Sequence, residues 1–124
     1  MSAPPRKAPP TIRELLVDAL KSPSRRVLDG NSQSRSFLDL WDLRAETLFA
    51  DLADGLENHD LLYIKPKNSE HDPQRYQCVL AYPEEDGLPA LDIHVTLSPR
   101  GEPPRVKVAV HPSDTVRSLP KIHV

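Results

Sequence analysis

The sequence predicts an α+β fold in which N-terminal helices pack on one face of an antiparallel sheet of about four strands. Two observations carry this. The first half holds apolar residues at helical spacing, and four short stretches between Leu61 and His111 alternate polar with apolar residues. A helical stripe and a half-greasy sheet each need a partner away from water, and packing one on the other satisfies both.

In chain order, Ser2 to Pro10 contains four prolines and two cations. It buries too little apolar surface to offset the entropy of ordering it, so residues 1–10 read as a flexible arm. Thr11 followed by Glu14 reads as a capping box, and Ile12, Leu15, Leu16, Ala19 and Leu20 continue at helical spacing to about Lys21, where Ser22 and Pro23 stop the helix. Ser36 to Trp41 begins a second helix or a turn, with Phe37, Leu38 and Trp41 as core contacts. The third helix is carried by Ala45, Leu48, Phe49, Leu52, Ala53 and Leu56, and Gly55 suits a left-handed position past its last turn.

The strands follow. Leu61 to Lys67 is the first. Tyr76, Cys78, Leu80 and Tyr82 form the apolar row of the second and leave Arg75 and Gln77 opposite. Leu91, Ile93, Val95 and Leu97 oppose Asp92, His94 and Thr96 in the third, and Val106, Val108 and Val110 oppose Arg105, Lys107 and His111 in the fourth. Prolines at 66, 73, 83, 89, 99, 103, 104 and 112 fall at strand ends or in connections, since proline removes a ladder donor. One domain over residues 11–117 is expected, with 118–124 as a C-terminal tail.

A chain of 124 residues with a formal net charge of −2 gives no global electrostatic case for nucleic acid, so a local basic surface would have to supply one. The single cysteine, Cys78, lies in the apolar row and reads as a buried, reduced thiol, which fits a cytoplasmic protein. No apolar run is long enough for a bilayer, and the start lacks the hydrophobic segment of a secretory signal.

The five histidines, His59, His71, His94, His111 and His123, are scattered without helical ligand spacing, and Cys78 has no CxxC partner, so no metal site is expected. With four glycines and neither a phosphate loop nor a GxSxG turn, no nucleotide hydrolase, α/β-hydrolase or cofactor fold has a foothold. The acidic run Glu84, Glu85, Asp86 before Gly87 reads as a hairpin loop. Arg25, Arg26 and Arg35 bracket a loop around Asn31 and Ser32. Such clusters are usually solvated, and arginine there is also a common phosphate contact.

Several segments resemble the MqsR family, mRNA-cleaving toxins of bacterial toxin–antitoxin pairs with a RelE-like ribonuclease fold. Asp60-Leu61-Leu62-Tyr63-Ile64-Lys65 is similar to the family's Asp-Phe-Tyr-Lys segment, Tyr76-Gln77-Cys78-Val79 to its Trp-Gln-Asp-Val, and Ile93-His94-Val95-Thr96 to its Leu-Lys-Ile-Thr. Ser34-Arg35-Ser36 resembles its Thr-Arg-Ser, ahead of a similar helix ending in Gly55-Leu56. The likeness covers about Ser34 to His111. It departs where the family has a functional tyrosine and this chain has Asp92, and where family lysines fall at His94 and His111. Those toxins are also strongly basic.

The resemblance implies metal-independent cleavage of RNA, with RNA and a cognate antitoxin as partners. Such chemistry needs a base for the ribose 2′-hydroxyl, an acid for the leaving oxygen and cations for the phosphorane. His94 or His111 would transfer protons, because imidazole titrates near working pH. Gln77 would orient the scissile group or a base, and Asp92 would fix a histidine tautomer or act as the base. Lys65, Arg105 and Lys107 would hold phosphate, with Arg75 and Arg35 as further RNA contacts.

The competing expectation is a non-enzymatic interaction module. A covered antiparallel sheet must show polar residues on its open face whatever its function. The near-neutral charge and the two proline-containing ends also suit a protein that docks a partner through a sheet edge or a tail.

Overall fold

The computed structural model describes residues 6–29, 32–64, 75–83, 85, 87, 88, 90–98, 104–112 and 119–124. The chain runs α1 (Pro10–Leu20), β1 (Arg26–Leu28), α2 (Ser32–Leu40), α3 (Ala45–Asn58), β2 (Tyr63–Ile64), β3 (Arg75–Ala81), β4 (Leu91–Ser98), β5 (Arg105–Pro112) and β6 (Lys121–His123).

The α+β class and the helix-on-sheet packing are as the patterning predicts, but the sheet is mixed, with six strands among the described residues. Its order is β1-β5-β4-β3-β2, with β6 also on β3. The antiparallel centre, β3-β4-β5, is the part that alternation reveals. Two short strands correct the expected four-stranded antiparallel sheet. β1 pairs parallel to β5, and β6 pairs parallel to Val79–Ala81 of β3, end to end with β2, which pairs with Tyr76 and Gln77. The segment expected as a C-terminal tail therefore carries β6. Of the expected arm, Lys7 bridges to Tyr63, Ala8 donates its N–H to the Leu62 carbonyl, and Ala8 is buried. Lys65 and the rest of the predicted first strand lie outside the described residues.

The helices differ from their sequence signals in instructive ways. α1 starts at Pro10, not after Thr11. The preset φ of proline suits the first helical position, Pro9 is the N-cap, and no side chain caps the end, so the expected Thr11–Glu14 box does not form. α2 begins at Ser32, ahead of the expected Ser36. It ends in a Schellman turn, with the Leu43 N–H on Leu38 O and the Asp42 N–H on Asp39 O. Asp42 takes the left-handed position at φ 51°, a conformation that aspartate tolerates. Phe37 and Trp41, one turn apart, stack at 5.2 Å.

In α3, Gly55 lies inside the helix rather than past its end. A Cβ there would meet Ile122 Cγ2 of β6 at 2.7 Å, so glycine is present for close approach and not for a turn.

The core is the interface between layers. Leu16 and Leu20 of α1, Leu38 of α2, and Leu48, Leu52 and Leu56 of α3 pack on Tyr76, Cys78 and Leu80, Leu91 to Leu97 at alternate positions, Val106, Val108, Val110 and Ile122. Among the described residues, Ser34 is the buried polar exception on the helix side. It is fully buried, and its Oγ lies 3.0 Å from the Val110 N–H and 3.5 Å from Val110 O, beyond the point where β1 stops pairing with β5. No helix among the described residues is long and apolar enough to cross a membrane.

Candidate functional site

Successive side chains of a strand alternate between faces, and directly paired residues share one. With Cys78, Ile93 and Val110 in the core, the opposite face of β3-β4-β5 is fixed by register as three cross-strand rows. They are Arg75–Thr96–Lys107, Gln77–His94–Ala109 and Val79–Asp92–His111. Ser98–Arg105 adds a pair beyond the first row. Seven residues expected at the site, Arg75, Gln77, Asp92, His94, Arg105, Lys107 and His111, therefore share one face.

Asp92 is the centre of this face. It is only 3% exposed, and both carboxylate oxygens are engaged. Gln77 Nε2 donates to Oδ1 at 3.3 Å, and His94 Nε2 lies 2.9 Å from Oδ2. A carboxylate oxygen only accepts, so the second contact places a proton on Nε2 of His94. The pairing has an energetic reason. An unpaired buried carboxylate costs several kcal/mol, and a charge-assisted hydrogen bond offsets part of that. The His94 ring in turn meets the His111 ring at 4.8 Å between centroids, tilted by 50°. His94 thus contacts both a carboxylate and a second imidazole on the sheet face.

Cations border this cluster. Arg75, Arg105 and Lys107 are exposed on the same face. The ion pairs among the described residues are Lys7–Asp60, Lys21–Glu57, Arg25–Asp18 and the His94–Asp92 contact, and none engages these three. Toward β2 and β6 the face turns apolar, where Tyr63, Val79 and Leu119 form a small second cluster, and Val79 of that cluster pairs with Asp92.

Other expected residues are elsewhere. Arg35 is exposed on α2 and lines a hollow of about 720 Å³ at the α2–α3 turn, with Leu28, Asp39, Asp42 and Arg44. It is separate from the sheet cluster. Arg25 and Arg26 have structural partners. Arg25 donates to Pro104 O and to Asp18, and Arg26 donates to Leu20 O and lies over the Phe49 ring at 5.0 Å.

Cys78 is fully buried on the core side, and burial pushes its thiol pKa far up, with the charge of Asp92 adding to the effect. It is poorly suited to act as a nucleophile. Among the described residues no three His, Cys, Asp or Glu side chains converge to hold a metal.

Sequence reasoning missed Lys121. Register pairs it with Val79, in the row of Asp92 and His111, and it is exposed. The signal was present but short, in the alternation Lys121, Ile122, His123 directly after Pro120.

Chemically, the arrangement can take a proton on one imidazole, deliver one from the other, and hold an anion at its cationic border. Comparison with known proteins adds no relative: no family model, no curated protein and no solved structure matches this chain.

Proposed function

We propose that this chain is a metal-independent endoribonuclease acting on mRNA, the toxin of a toxin–antitoxin pair held in check by a cognate antitoxin. One observation carries the reading: His94, hydrogen-bonded to buried Asp92, is in ring contact with His111 on a face bordered by Arg75, Arg105 and Lys107.

In this reading His94 is the base. Asp92 orients its ring and stabilises the imidazolium that forms, and Gln77 orients Asp92. The ribose 2′-oxygen gives its proton to His94 and attacks the adjacent phosphorus. The bond from phosphorus to the 5′-oxygen breaks, and His111 protonates that oxygen. The products are a 2′,3′-cyclic phosphate and a 5′-hydroxyl end. Arg75 and Lys107 stabilise charge on the phosphorane. Lys65 fits the same role by its family resemblance.

The test is purified protein with labelled single-stranded RNA in the presence of a chelator. Cleavage is expected, with losses of about 100-fold or more in His94→Ala and His111→Ala, the usual scale for removing a general acid or base. Parent protein that leaves the RNA intact sinks the proposal.

Two observations favour a second reading, a non-enzymatic interaction module. The hydrogen bonds of Gln77 and His94 to Asp92 form a satisfied buried network of the kind that also serves structure alone, and the formal net charge is −2. Harmless expression in bacteria, with a stable protein complex and no RNA loss, would favour it.

A further inference from the structure

Resting on that reading, we propose that Lys121 binds a backbone phosphate of the RNA and completes a track that crosses the polar face diagonally from Lys107 to β6. The facing of Lys121 is fixed from the other side of the sheet. Ile122 is fully buried and packs so closely on α3 that Gly55 has no room for a Cβ, and the Val124 N–H holds the strand end to Ala81 O. With Ile122 in the core, strand alternation sends Lys121 to the face of Asp92 and His111.

The placement suits a strand of nucleic acid. Lys121 lies three strand spacings from His111 along one row, and Lys107 lies four residues from His111 along β5. Spacings of about 4.8 Å between strands and about 3.3 Å per residue separate the two lysines by about 20 Å. The midpoint of that diagonal falls in the middle row, between Gln77 and His94. A single strand laid on the two lysines therefore carries its central phosphate over Gln77 and His94, the ring that His111 meets. The described ion pairs leave Lys121, like Lys107 and Arg75, without a carboxylate partner, so its charge is available to a polyanion.

The experiment measures binding without cleavage. A fluorescent single-stranded RNA with 2′-O-methyl ribose throughout cannot be cut, and its anisotropy is followed against salt. Losing one phosphate contact lowers the slope of log K against log salt by about 0.7 for single strands. Lys121→Gln is expected to show that drop, Lys121→Arg to keep the parent slope, and Lys21→Gln, on the helix layer, to change nothing. In cleavage of ordinary RNA, Lys121→Gln should raise KM and spare kcat. A parent that binds while Lys121→Gln keeps its slope overturns this inference alone. A parent that neither binds nor cleaves overturns the nuclease reading and this inference with it.

Discussion

Replacing Ser34 with alanine should loosen the end of β5 that carries His111. β1 pairs with β5 only through Val108, and Asp29 donates to Val108 O at 2.7 Å, so the next outward-pointing groups on that edge belong to Val110. The Ser34 hydroxyl serves them in place of a strand, accepting from the Val110 N–H at 3.0 Å in a fully buried position. Alanine leaves that N–H in the dark with no acceptor, which costs about 1–3 kcal/mol. Almost no volume is lost, so a cavity term adds little. In urea, with a slope of about 1–3 kcal/mol per molar, the midpoint should fall by about 1 M at unchanged slope. Hydrogen exchange at Val110 should quicken, and His111, the next residue, should lose its fixed contact with His94. Ser24→Ala, an exposed change, is the control. A midpoint within about 0.2 M of the parent, on the same slope, would refute the claim that Ser34 substitutes for a strand.

Three further outcomes follow from the same packing. Gly55→Ala gains about 1 kcal/mol of helix propensity but drives a methyl into Ile122, at a cost of about 1–3 kcal/mol, so thermal melting should show no stabilisation and more often a loss. Cys78 holds its proton in the folded state beyond the pH at which the unfolded thiol, of ordinary pKa 9.0, loses it. The unfolded chain then binds fewer protons, so stability falls as pH rises above that value, by up to about 1.4 kcal/mol per pH unit. Denaturation from pH 8 to about 10 should show a shallower fall in Cys78→Ala than in the parent. Finally, Gln77→Leu removes a donor from Asp92, and cleavage should drop about tenfold while the melting temperature moves by only a few degrees. An unchanged rate would remove Gln77 from the site.

How much of this was legible in the sequence depends on element length. β3, β4 and β5 are long enough for period-two alternation to repeat, and the same alternation assigned Gln77, Asp92, His94 and His111 to one face. β1 and β6 have three residues each, too few for a period to register, and β6 lies close behind a proline. Gly55 looked like a helix terminator because glycine usually is one. Only the approach of Ile122, 67 positions later in the chain, explains it. The α1 start was misread for a related reason, since Thr11 and Glu14 fit a capping box but Pro10 occupies the first helical position.

The burial of Asp92 was not legible either. Alternation puts it on the wet side, yet it is 3% exposed beside Val79, its cross-strand partner and a member of the small apolar cluster with Tyr63 and Leu119. The hydrogen bond from His94 to Asp92 joins residues two apart on one strand, a pair that alternation places on one face without revealing that they touch.

The most direct test of the account is the pH dependence of single-turnover RNA cleavage in chelator, measured for the parent and for His111→Ala. One imidazole must start neutral and the other protonated, so the parent should give a bell, and the variant a much slower reaction from which one limb has gone. A bell of unchanged shape and height in His111→Ala, or RNA that survives the parent at every pH, would contradict it.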